Sequence, residues 1–445
     1  MAGIHLHPHD ILDEGMPAIL QRLDGMKHVE HLFVEINTIF ERNPYPVGDL
    51  PHNPIHNVVM GTGTLHINTH TDFPRLSQRV DPTILAGADP LMTIKKATDG
   101  GKYKVIPWAN ILNGDFVGDV ENNQVVDFKG RLQAHWLCPN APDVAQLWQK
   151  TFTALKQNYG YDTFLIDRIR FPDWAGKEVN PAGLFTCFCP HCEKKMVQQG
   201  LPVNEIKHRL AALADSLKQG DFETPVTALK EEPLLKAWQL FRQQSVTQLV
   251  EKLLSDAKQT AGGITLWLDL WPPAYSWILG QNYHELTRYS STLKHFPYHK
   301  LGGGADVQGL INHFAHDSES QERAFTAFKR LFELPYDISY ETFKQQGFPI
   351  HFVAEQNNKV RQLSQPNTFI YSGIQMWNLP ASQLIEAVIA AEESACDSLL
   401  YYCYGWATQE LFDAIGEHNT PNNNAYNNVY NNVYNNVYNN NTVKE

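Results

Sequence analysis

The chain has 445 residues, 43% hydrophobic and 19% charged, enough for one large core or two smaller ones. Its formal net charge of −12 disfavours a nucleic-acid partner, which would want a basic face. No run reaches the roughly 18 apolar residues of a membrane span. MAGIHLHPHD at the start shows no basic n-region or apolar h-region, so the cytoplasm is the expected location and a membrane is not an expected partner.

In chain order, eight apolar runs rich in β-branched or aromatic residues read as strands. They are Gly3–His7, Leu32–Asn37, Lys104–Leu112, Thr163–Phe171, Ile264–Trp271, Phe296–Leu301, Phe369–Trp377 and Ser398–Trp406. Helix-period segments lie between them, among them Val144–Asn158, Leu235–Thr260, Glu322–Leu334 and Ala381–Ser394. Apolar strands alternating with amphipathic helices imply parallel strands with crossover helices. Eight such units predict an α/β fold, a (β/α)8 barrel, with long insertions at 38–102 and 172–234. A doubly wound sheet would carry a Gly-rich turn after its first strand, where this chain has His-Leu-His-Pro-His-Asp. Residues 419–445, with Tyr-Asn-Asn-Val repeats, lack core-forming content and read as a disordered tail. The domain expectation is therefore a barrel over 1–418 and a low-complexity tail.

The stretch after the fourth run is the richest in chemistry. Cys187-x-Cys189-x-x-Cys192 offers three closely spaced sulfurs, and thiolates favour zinc held by four ligands. Cys138, in HWLCPN after the third run, is the expected fourth ligand, with His191 in reserve. Four thiolates leave no open position, so the zinc would be structural. Cys396 and Cys403 sit in apolar surroundings and read as packing. No organic cofactor is expected.

Cys-Phe-Cys-Pro-His-Cys after strand four, with another Cys after strand three, resembles the zinc cluster of family-42 β-galactosidases, which are barrel glycoside hydrolases. Asp-Arg-Ile-Arg-Phe-Pro at 167–172 more loosely resembles the Asp-Tyr-Ile-Arg-Phe-Pro motif of glycoside-hydrolase-like barrels. The resemblance covers about 135–195. It implies a sugar-cleaving enzyme with a braced loop, but not that family's catalytic pair. Where those enzymes carry Asn-Glu after strand four, this chain has Ile166-Asp167. Where they carry a second Glu after strand seven, it has Ile374-Gln375-Met376-Trp377.

Glycoside hydrolysis needs two carboxyls, one to give a proton and one to act as nucleophile or base. Asp167 is the expected ionised partner, with Arg168 and Arg170 close in sequence. Strict alternation would put both arginines on the other face, so contact requires a bulge or strand end. Asp269, flanked by Trp267 and Trp271, is the expected acid; Glu35 is the other candidate for that role and is otherwise expected to bind sugar hydroxyls or orient Arg170, with Asp306 and Glu341 behind them. Trp108, Trp271, Trp377 and Trp406, with Asn110, Gln375, Arg170 and His7, are expected to line a saccharide subsite. The expected partner is an oligo- or polysaccharide, and a homo-oligomer stays open. Two other readings remain. His5-x-His7, with His9, His66 and His70, would suit a metal-dependent hydrolase of amidohydrolase type. A barrel with an aromatic rim and no working acid pair would be a carbohydrate-binding protein.

Overall fold

The computed structural model describes residues 1–40, 49–58, 61–69, 75–174, 181–260, 262–300 and 307–420. His70, Asp306 and the expected tail from residue 421 on lie outside them. Eight parallel strands close into a barrel, each beside its neighbour in chain order. They are β1 (Ala2–Leu6), β2 (Val29–Glu35), β3 (Lys104–Asn110), β4 (Thr163–Asp167), β5 (Thr265–Leu270), β6 (Thr292–His295), β7 (Phe369–Gln375) and β8 (Ser398–Tyr402). β8 returns to β1 through Ala2 opposite Leu399 and Ile4 opposite Tyr401.

The strands are apolar on both faces because both are covered. Phe33, Ile106, Trp108, Leu165, Tyr371 and Leu400 fill the barrel interior as one cluster. The outer side chains, such as Ile4, Leu32, Ile166 and Leu268, join a larger core with the surrounding helices. Gly3 is required by this filling, since a Cβ there would stand 2.6 Å from Phe33 Cε2 and 2.7 Å from Leu400 Cδ1. Proline in the first turn starts the helices Pro8–Asp13, Pro90–Thr98, Pro142–Ala154 and Pro190–Gln198, where a missing N–H loses no bond.

The strands stop before the apolar runs do, so His7, Trp271, Trp377 and Trp406 stand on the loops just past the strand ends. The sixth strand differs in place. It is Thr292–His295, not 296–301, because Lys294 pairs with Asp269 of the adjacent strand and is buried there. A charged residue hides such a strand from a hydrophobicity reading, and Pro297 cannot extend the ladder. Within the expected 38–102 insertion, Pro90–Thr98 is the helix between β2 and β3, and Leu76–Gln78 pairs antiparallel with Phe116–Gly118. After β4 come the helices Pro190–Gln198, Val203–Lys218 and Glu223–Glu231, and then the 28-residue helix Pro233–Thr260 that leads to β5. Among the described residues, no helix is long and apolar enough to cross a membrane.

Candidate active site

Asp167 ends β4, and the residue after it breaks the strand. Arg168 has φ +54, the left-handed region that non-glycine residues rarely adopt. That turn overrides simple alternation and brings Arg170 back, so that its Nη1 donates to Asp167 Oδ1 at 2.8 Å. The Arg168 backbone N–H donates to the same oxygen. Asp173 accepts from Arg170 Nε at 2.8 Å and from Arg168 Nη1 at 3.0 Å, fixing both guanidiniums. Burial pushes the Asp167 carboxyl up, but Arg170, Arg168 and Lys294 outweigh it and hold it below the usual carboxylate range.

Two other carboxyls are displaced the opposite way. Asp269 on β5 accepts from Lys294 Nζ at 2.9 Å through Oδ2, while Oδ1 has no partner among the described residues. Burial, with the Asp167 charge, pushes it up to about 7 against the pull of Lys294. Glu35, the last residue of β2, accepts from Asn110 Nδ2 at 2.8 Å through Oε1, and its Oε2 is likewise unpartnered. Burial again comes first and Asp167 adds to it, so Glu35 also rises to about 7 despite His7 and Asn110. Both of these side chains are almost wholly enclosed, at 1% and 2% exposed, whereas that of Asp167 is 10% exposed. Asp167 is therefore the most exposed of the three, and its charge contributes to raising Glu35 and Asp269.

The expected subsite residues divide into two groups. Trp108, Trp377 and Trp406 surround Tyr402, with ring centroids 6.1, 5.7 and 5.8 Å from it, and Tyr298 stacks on Tyr402 at 5.9 Å. Their indole Nε1 atoms, the Tyr298 hydroxyl and Asn110 Oδ1 are buried without a partner among the described residues. Trp271 belongs elsewhere. It is fully buried, meets Trp174 edge-on at 4.8 Å, and supports the Arg170 guanidinium 5.3 Å from its ring centre. Gln375 spends its amide on backbone, accepting from Lys300 N at 3.2 Å and donating to Trp377 O at 2.9 Å, so it shapes a loop.

The sulfurs of Cys138, Cys187, Cys189 and Cys192 lie within 4.8 Å of one another, all buried and none in a disulfide. Cys138 Sγ is 3.4 Å from Cys192 Sγ and 3.5 Å from Cys189 Sγ. Backbone N–H groups of Val126 and Asn140 and the Asn140 side chain donate to these sulfurs at 3.2 to 3.4 Å. This cluster can hold a metal ion. Near it, Arg242 is fully buried with Nε and Nη2 unpartnered among the described residues. Burial lowers it to about 9, and Cys187 and Cys192 oppose that fall. His191, the reserve ligand, instead contacts Asn122 O at 3.2 Å.

Other expectations fail on position. Glu341 is exposed on the helix Tyr340–Gln346 and pairs with Lys344. His66 contacts Asp81 and Thr64. His5 lies inside the barrel, 4.3 Å from the Trp108 ring, and among the described residues joins no ligand cluster. Cys403, expected as packing, lies with its Sγ 3.3 Å from His7 Nδ1. The reading from sequence missed Lys294, Tyr298 and Asp173. Lys294 had one visible signal, a lone lysine between Leu293 and His295 just before an aromatic pair.

No model of a known protein family matches this chain, and no curated protein matches it in sequence. The family-42 resemblance thus stays with its motif. Solved structures do align. The glycoside hydrolase domain of PgaB (BpsB) from Bordetella bronchiseptica superposes with a TM-score of 0.52 at 13% identity, covering 94% of this chain and 96% of that one. The catalytic domain of β-amylase from Paenibacillus polymyxa gives 0.51 at 11%, covering 94% and 98%. The chain has the (β/α)8 fold shared with these glycoside hydrolases.

Proposed function

We propose that this protein hydrolyses a glycosidic bond in an oligo- or polysaccharide, with Asp167 as the ionised carboxylate and Asp269 as the proton donor. One observation supports the reading: Glu35, Asp167 and Asp269 stand at or next to the ends of β2, β4 and β5. Asp167 is bonded to Arg170 and the other two are enclosed, so that one carboxyl is held ionised and burial raises the other two. Environments that push paired carboxyls apart separate the acid from the base. Asp269 gives its proton to the glycosidic oxygen as the C1–O bond breaks. Asp167 supplies the negative charge opposite the oxocarbenium-like carbon. Water adds its hydroxyl to C1, and its remaining proton restores the carboxyl pair. The Tyr298 hydroxyl and the Trp108, Trp377 and Trp406 N–H groups are the donors left for sugar oxygens. The glycoside hydrolases that share the fold support this substrate class.

Zinc at the cysteines is the companion proposal. Sulfurs about 2.3 Å from one zinc ion lie about 3.8 Å apart, close to the separations seen. Four thiolates and Zn2+ carry net −2, which gives the buried Arg242 a counter-charge. The ion would brace the loop and take no part in the chemistry.

The test is a screen of α- and β-linked oligosaccharides, read by released reducing ends, on the wild type and Asp167→Asn. Turnover lost in the variant supports the reading. A silent wild type across the panel, with sugars still binding, would favour a carbohydrate-binding barrel.

A further inference from the structure

A second set of ligand-type side chains lies where β1 ends, remote in sequence from the cysteines. His7, His9 and Asp10 each offer a donor atom, and the three atoms lie within 4.8 Å of one another. All three residues are buried, at 2%, 6% and 0% exposed. Part of this arrangement is local structure. Asp10 Oδ2 accepts from the His7 backbone N–H at 2.8 Å, closing the start of the helix Pro8–Asp13. That cap uses one carboxylate oxygen. The other, Oδ1, has no partner among the described residues, and neither has His9 Nε2. These two atoms stand 3.6 Å apart, beyond hydrogen-bond reach.

Two buried polar atoms at ion-pair distance but without a hydrogen bond leave part of their desolvation cost uncompensated. One shared cation satisfies both. Nitrogen and oxygen donors each about 2.1 Å from a common ion lie roughly 3.0 to 3.6 Å apart. The third donor lies within 4.8 Å of the other two; His7 Nδ1 is 3.7 Å from the capping oxygen Asp10 Oδ2 and 3.3 Å from Cys403 Sγ, a contact that metal binding would replace. The other nitrogen of that ring, Nε2, faces Glu35 Oε2 at 3.9 Å. The chain at Gly405 comes up to the unpartnered oxygen, where a Cβ would stand 2.7 Å from Asp10 Oδ1.

We propose that His7, His9 and Asp10 bind a divalent transition-metal ion of the zinc and cobalt class, at a site separate from the cysteine cluster. Two imidazoles and a carboxylate suit such ions better than calcium or magnesium. Three protein donors leave a position for water or a ligand oxygen. The proposal stands apart from the glycosidase reading, and its test reads metal and not turnover. The full-length protein is dialysed against a weak chelator, its retained metal is counted, and Co2+ is then titrated in by calorimetry and visible absorption. The wild type should take up one further Co2+ per chain, with a spectrum lacking the intense charge transfer of a four-thiolate centre. His9→Ala and Asp10→Asn should weaken that uptake at least about tenfold. If His9→Ala does not fold, Asp10→Asn decides, because its amide oxygen still caps the helix. No further ion in the wild type, unchanged uptake in the variants, or a four-thiolate spectrum would overturn the proposal and leave a plain histidine–carboxylate contact.

Discussion

The cysteine-bearing loop and the barrel mouth are both buried and polar, yet they are finished to different degrees. Around the cysteines, backbone and Asn140 donors already point at sulfur, and a single cation would complete the set. At the mouth, acceptors and donors of both kinds are buried without a hydrogen-bond partner among the described residues: Asp269 Oδ1, Glu35 Oε2, Asn110 Oδ1, three indole N–H groups and the Tyr298 hydroxyl. A mixed, unpaired set of that kind matches a polyhydroxyl ligand, which both donates and accepts. On the proposed function, the loop would be closed once by its ion and the mouth filled by each substrate in turn.

The sharpest way to break this contrast is Asp167→Asn. It removes the negative charge and keeps the shape, so turnover should fall about 10^4-fold; the melting point should drop with the lost Arg170 pair, while Asp173 still holds that guanidinium and the variant stays folded. Activity close to wild type would take Asp167 out of the chemistry. Asp269→Asn should cost about 10^2- to 10^4-fold on oligosaccharides and far less on an aryl glycoside whose leaving group needs no proton. The pH dependence follows from the two displacements. The acid must hold its proton, so wild-type activity falls as pH rises through about 7. The Asp167 partner must be ionised, and its lowered value puts the acid limb below the usual carboxylate range. Asp269→Asn should erase the alkaline limb. If Glu35→Gln erases it instead, the proton donor is Glu35.

On the loop side, Cys189→Ser should remove one bound metal ion per chain and lower stability together, measured by elemental analysis and thermal melting. Breaking a buried charged set costs about 3 to 5 kcal/mol, and here Arg242 loses its counter-charge as well. A lower melting point with metal content unchanged would make the cluster ordinary packing.

The barrel was legible because parallel strands buried on both faces leave continuous apolar runs in the sequence. The cysteine loop was legible because Cys187, Cys189 and Cys192 are close in sequence and Cys138 follows the adjacent strand. The strand that misled was β6, whose central lysine is matched by Asp269, 25 positions away and visible as a partner only in the closed sheet. Trp271 misled for the opposite reason. It follows a strand end as the rim residues do, but the Trp174 ring covers it. The position of Arg170 depended on a single left-handed residue, Arg168, which no hydrophobic pattern records.

The smallest effect bears most directly on why the mouth is unfinished. Trp406 is 8% exposed, and its Nε1 has no partner among the described residues. Trp406→Phe keeps an aromatic ring against Trp377 and Tyr402 and deletes that one donor. If the N–H waits for a sugar oxygen, its loss costs one hydrogen bond, about 0.5 to 1.5 kcal/mol, or roughly 2- to 10-fold in KM with kcat little changed. Stability should fall by the packing that the smaller ring gives up, offset in part because a buried group without a hydrogen-bond partner among the described residues has gone. An unchanged KM would mean that no sugar oxygen uses the indole N–H, and the contrast between the two regions would narrow accordingly.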